Sequence, residues 1–130
     1  LAAFNGHSGL LTIVRDGKSY KLVQSNTLVH LTDREKAITG VDEDVVEQVG
    51  LKRCKKIQLR IDGDFTPDKD IATFYYKIGK GEWTPIGEPF KMQFDYRRLF
   101  MGTRYAIFNY ATKQSGGYVD VDSFDYSREE

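Results

Sequence analysis

Leu10-Leu11-Thr12-Ile13-Val14-Arg15, then Asp16-Gly17, then Ser19-Tyr20-Lys21-Leu22-Val23-Gln24 is the most informative stretch of this chain. Two runs rich in β-branched and aromatic residues flank an Asp-Gly pair, which is the strongest short-range signal for a β-hairpin. Moving outward, Leu1-Ala2-Ala3-Phe4-Asn5 starts apolar, where domain starts are usually polar and loosely ordered. It reads as the middle of a strand, and the expectation is a chain cut from something longer. From Leu28 to Asp44 the pattern weakens around Asp33, Arg34, Glu35 and Lys36. A loop with at most one helical turn is predicted there, with Asp42-Glu43-Asp44 as a solvated turn.

Alternation then resumes. Val45, Glu47, Val49 and Leu51 form one row of a strand. Ile57, Leu59 and Ile61 alternate with Gln58, Arg60 and Asp62 up to a turn or bulge at Gly63. Ala72, Phe74, Tyr76 and Ile78 alternate with Thr73, Tyr75 and Lys77. Gly79-Lys80-Gly81 turns the chain into an edge or short strand around Pro85, and a further strand is predicted over 90–94. Residues 95–102 read as a loop dense in large side chains. Residues 104–111 are apolar on both faces, which predicts a central, doubly covered strand. After Ser115-Gly116-Gly117 a last strand is predicted over 118–126. Short strands at regular intervals with turns between them predict an all-β sandwich or barrel.

Composition agrees. Eight Tyr, eight Phe and twelve Gly among 130 residues suit pleated sheets joined by tight turns. The length fits one domain, residues 1–130, with a core of its own. Nineteen basic and nineteen acidic side chains cancel, which argues against nucleic acid or an anionic membrane surface as partner. No apolar run approaches the ~18 residues of a membrane-spanning helix. Cys54 is the single cysteine and forms no internal disulfide or zinc pattern.

Candidate chemistry is sparse. Gly6-His7-Ser8-Gly9 lacks the spacing of a nucleophile elbow and reads as a turn beside the hairpin. No phosphate-cradling glycine motif is present. Asp120 and Asp122 share a face if 118–126 is a strand, some ~6–7 Å apart. Glycoside hydrolysis needs two carboxylates held across a cleft, one with a raised pKa, and no apolar pocket is evident around either. Asp62, Asp64, Asp68 and Asp70 surround one turn. They offer oxygen ligands of the type Ca²⁺ takes, in no EF-hand spacing, so a solvated turn is the simpler reading and no cofactor is expected. A sugar site pairs a flat aromatic with orienting polar groups. Tyr75 points away from the Phe74/Tyr76 row, Arg60 and Asp62 lie on the outward row of the preceding strand, and Asp120 and Asp122 would complete a polar face. Trp83 and Tyr96 lie near loops, with Trp83 read as a lid on the core.

Residues 90–113, Phe90-Lys91-Met92-Gln93-Phe94-Asp95-Tyr96-Arg97-Arg98-Leu99-Phe100-Met101-Gly102-Thr103-Arg104-Tyr105-Ala106-Ile107-Phe108-Asn109-Tyr110-Ala111-Thr112-Lys113, with Gly116-Gly117-Tyr118-Val119-Asp120-Val121-Asp122, carry a resemblance. The chain resembles the C-terminal concanavalin A-like β-sandwich of family 43 glycoside hydrolases, the β-xylosidase and α-L-arabinofuranosidase group, in a Bacteroidetes-like form. Weaker agreement runs back to Leu1. The resemblance implies a jelly roll of two antiparallel sheets, here lacking its N-terminal strands, attached to a five-bladed catalytic propeller. The family's catalytic carboxylates belong to the propeller, so no catalytic residue carries over to this chain. What carries over is an accessory role: packing on the propeller, shaping its pocket through a loop matched here by Tyr96 and Phe100, and in some members binding xylan-type polysaccharide. The candidate sugar-binding residues are Arg60, Tyr75, Asp120 and Asp122. A periplasmic or secreted location follows from the same resemblance. One departure is Ser123, where the family usually has Trp.

Overall fold

The computed structural model describes residues 1–34, 36–52, 56–93 and 102–129. It is all-β, as expected. Eight strands run β1 (Ala2–Phe4), β2 (His7–Asp16), β3 (Ser19–Leu31), β4 (Ile38–Leu51), β5 (Ile57–Asp64), β6 (Ile71–Ile78), β7 (Thr84–Lys91) and β8 (Arg104–Ala106). They form a five-stranded sheet ordered β4-β3-β2-β1-β8 and a three-stranded sheet ordered β5-β6-β7, with antiparallel pairing throughout.

The Asp-Gly hairpin is the spine of the larger sheet. Asp16 pairs with Ser19 across Gly17-Lys18, and Gly17 takes φ 62°. Positive φ at the first central residue alone is the II′ pattern, whose twist matches the flanking strands. The core lies between the sheets. Ala3, Leu11 and Leu22 from the larger sheet meet Ala72, Phe74, Ile86, Phe90 and Met92 from the smaller one. Gly9 sets how closely they approach, because a Cβ there would stand 2.6 Å from Phe74 Cζ and 2.9 Å from Phe90 Cγ. β7 crosses β3 and β4. There the Gly87 N–H donates to Glu47 Oε2 at 2.6 Å, and the amide of fully buried Gln24 donates to Asn26 Oδ1 at 3.0 Å.

Four expectations need correction. Residues 28–44 are mostly strand, since β3 runs on to Leu31 and β4 begins at Ile38. Among the described residues β4 is an edge strand, exposed along most of its length, so it has little apolar face to reveal it. Asp42, Glu43 and Asp44 lie within it opposite Leu28, Thr27 and Asn26. Charges on an open edge deter pairing with another chain. The two strands expected around Pro85 and Phe90 are one, β7, kept continuous by a register shift opposite Ala72 and Phe74 with Gly87 at φ 73°. Phe94 lies outside the described residues. The doubly covered strand over 104–111 shrinks to β8, at the sheet's margin among the described residues. Its last ladder partner is Ala2, and without a further partner Ile107 and Tyr110 are exposed. Residues 118–126 form no strand, and their apolar side chains face solvent.

Candidate functional site

The outward face of the three-stranded sheet gathers the most organised polar and aromatic group among the described residues. Alternation puts Leu59 and Ile61 of β5 toward the core, which turns Arg60 and Asp62 outward; on β6, Phe74 inward turns Tyr75 outward. Register pairs Arg60 with Tyr75 and Asp62 with Thr73. On the other side of β6, Tyr76 stands opposite Thr84, so the next residue back, Trp83, falls opposite Lys77.

The side chains follow that grid. The Arg60 guanidinium lies 5.4 Å from the Tyr75 ring centroid and 5.6 Å from that of Trp83, and Lys77 Nζ lies 5.3 Å from Trp83. Each such contact is worth roughly 0.5–1 kcal/mol at an exposed site. Asp62 fixes the guanidinium through a two-pronged bond, Nε to Oδ1 and Nη2 to Oδ2, both 2.6 Å. That fork raises the Arg60 pKa further; partial burial opposes it, and the charges of Asp62, Tyr75 and Glu129 add to it. Trp83 keeps 36 % of its surface exposed. It is a flanked surface aromatic, where the sequence suggested a core lid. The signal that finds it is the register counted back through Thr84.

Asp120 and Asp122 are exposed on the unpaired 118–126 segment. Asp122 Oδ2 pairs with Lys56 Nζ at 3.2 Å, one residue before β5 begins and four positions from Arg60. Arg60 and Tyr75 are thus brought together, while Asp122 is engaged with Lys56 at the start of β5. Tyr105 has its pKa raised by burial first, with the charges of Tyr126 and Asp62 adding to it. Tyr96 and Phe100 lie outside the described residues.

The other candidates are occupied locally. The Ser8 hydroxyl is buried, donating to Asn5 O at 2.5 Å and accepting from Asn5 N–H at 3.0 Å. His30 Nε2 meets Asp42 Oδ2 at 2.6 Å. In the aspartate turn, Asp62 is held by Arg60, while Asp64 accepts from Thr66 N–H and pairs with Lys69 at 3.4 Å. The Asp64 pKa is lowered by its hydrogen bonds from Thr66 first. No cluster of three or more metal-ligating side chains occurs among the described residues. A basic fork, a carboxylate and two aromatic faces on one exposed sheet can stack an apolar ring face and hydrogen-bond its rim.

The sequence pattern of the β-xylosidase C-terminal concanavalin A-like domain matches residues 2–127. No curated protein and no solved structure matches the chain.

Proposed function

The chain belongs to the family of β-xylosidase C-terminal concanavalin A-like domains, and from that membership we propose that it is the non-catalytic accessory sandwich of a xylan- or arabinan-degrading glycoside hydrolase, of β-xylosidase or α-L-arabinofuranosidase type. In this role it packs on the catalytic propeller and shapes its pocket, with Tyr96 and Phe100 reaching across. The observation that carries this reading is the apolar surface of the C-terminal segment. Tyr118 is 86 % exposed, Tyr126 70 % and Phe124 60 %, with Val119 and Val121 beside them. Large apolar side chains exposed along one segment are the material from which association surfaces are made. The test is to mix the chain with the catalytic domain of the same polypeptide and follow elution and aryl-xyloside hydrolysis. We expect a one-to-one complex that Phe124→Asp weakens, and a change in KM in Tyr96→Ala and Phe100→Ala. Separate elution with unchanged kinetics overturns the reading.

A second reading is favoured by the Arg60–Tyr75–Trp83 cluster: a carbohydrate-binding module that recognises xylan-type polysaccharide on its own sheet face. Trp83 and Tyr75 would stack sugar rings and Arg60 would bond their hydroxyls, with Asp120 and Asp122 as further polar contacts. Titration of xylo-oligosaccharides into wild type, Tyr75→Ala and Trp83→Ala checks it. A loss of about tenfold in affinity, ~1.4 kcal/mol, is expected in each variant. Equal affinity, or no binding by any of the three, excludes this face.

A further inference from the structure

The charges on the outward face of the three-stranded sheet do not cancel. Lys77 pairs in register with Gln58 on β5 and, counted back from Thr84, stands opposite Trp83. Arg60, Tyr75 and Pro85 make the next rung across the sheet, and Asp62 with Thr73 lies beyond it. Two cations thus meet at one ring: Lys77 Nζ lies 5.3 Å from the Trp83 centroid and the Arg60 guanidinium 5.6 Å. Asp62 answers only Arg60, taking its Nε and Nη2 on two separate oxygens.

Among the described residues no carboxylate stands within ion-pair distance of Lys77. The neighbouring charges are spent elsewhere. Lys56 and Asp122 hold each other at 3.2 Å. Lys80 and Glu82 are exposed in the adjoining turn and opposite in sign. Glu129 acts on Arg60, more weakly than Asp62 does. One positive charge is left over, and it is Lys77. A surface lysine ordinarily keeps its head in water. This one is half-buried and has its ammonium on an indole. Trp83 retains open surface beside it.

Resting on the carbohydrate-binding reading of this face, we propose that its ligand is an acidic sugar: a xylan-type chain carrying a single uronic acid, the uronate ring on Trp83 and its carboxylate on Lys77. A neutral ring stacked on Trp83 brings only hydroxyls to the rim and takes water from the ammonium without neutralising it. A uronate does both, and a hydrogen bond between ionised partners is roughly twice as strong as one between neutral groups. The single uncompensated cation sets the number of carboxylates at one. A run of uronates carries further carboxylates toward Asp62, where like charges repel.

Calorimetric titration of four ligands tests this: a xylo-oligosaccharide, the same chain with one glucuronic acid branch, the methyl ester of that branch, and an oligogalacturonate. We expect wild type to bind the branched acid about tenfold tighter than the unbranched chain at low salt. The ester keeps the shape and removes the charge, and it should lose that advantage, as should the acid itself at high salt. Lys77→Gln should lower affinity for the acid to that for the unbranched chain, and Lys77→Arg should retain the preference. Equal affinity of wild type for acid, ester and unbranched chain overturns the proposal and leaves the carbohydrate-binding reading standing. Binding of none of the four overturns both. A preference for the acid that persists in Lys77→Gln overturns the assignment of the carboxylate to Lys77, and tighter binding of the oligogalacturonate overturns the single uronate.

Discussion

The β2–β3 hairpin and the C-terminal segment beyond β8 have similar alternating sequences and opposite fates. In the hairpin, Leu11 and Leu22 are fully buried and every residue of β2 has a partner on β3. In the C-terminal segment, Tyr118, Val119, Val121, Phe124 and Tyr126 are more than half exposed outside any strand. Alternation makes a segment ready to be a strand. Whether it becomes one is a property of its neighbour, which must offer both a ladder and a facing layer.

The widest break between the two regions is in stability. Phe74→Ala removes a ring that touches both sheets and should cost ~3–5 kcal/mol in urea unfolding. Phe124→Ala, at a side chain 60 % exposed, should stay within ~0.5 kcal/mol. A cost near that of Phe74 would mean that the C-terminal segment is packed and the contrast false. Glycines sharpen the same contrast at smaller amplitude. Gly9→Ala presses a methyl onto Phe74 and Phe90 and should destabilise by ~1–3 kcal/mol. Gly50→Ala, on the exposed β4 where nothing lies within 4 Å of the added carbon, should be neutral or stabilising by up to ~1 kcal/mol.

These contrasts explain what the sequence revealed. Hairpin, core rows and sandwich were legible because one buried face forces strict alternation, as at Leu59/Ile61 and Phe74/Tyr76. β4 was half hidden because an exposed edge strand is free to be acidic. The run over 104–111 reads as central because its side chains suit covered faces, while composition cannot say whether the cover is present. Arg60 opposite Tyr75 was readable from outward rows alone. Trp83 was not, because its place depends on the register across the 79–83 turn. Asp120 and Asp122 share a face only if 118–126 is a strand, and residues 118–126 form none.

The buried amine at Leu1 makes a pH prediction for the isolated 130-residue chain. The Leu1 amine has its pKa lowered from 8.0 to about 6 by burial, so between those values the unfolded chain binds more protons than the folded one. Stability should therefore rise with pH from about 6 to about 8 and level off beyond. With the group still partly solvated, the gain is on the order of 1–2 kcal/mol. Acetylating the amine should flatten that rise in urea midpoints across the same window. A slope unchanged by acetylation would place the amine in water.

The smallest effect tests the ion pair between Lys113 and Asp16 at the hairpin turn. Lys113 lowers the Asp16 pKa below 3.8, by its hydrogen bond first and its charge second. Because the folded value is depressed, whatever the pair contributes is present above pH 3.8 and lost as pH falls through the folded value. Both side chains are highly exposed, so Lys113→Ala should leave the melting temperature within error. NMR titration should nonetheless show the Asp16 pKa moving up toward 3.8 in the variant. An Asp16 pKa that does not move would detach Lys113 from the hairpin turn, and the one ion pair among the described residues that ties the uncovered C-terminal region to the packed hairpin would be lost.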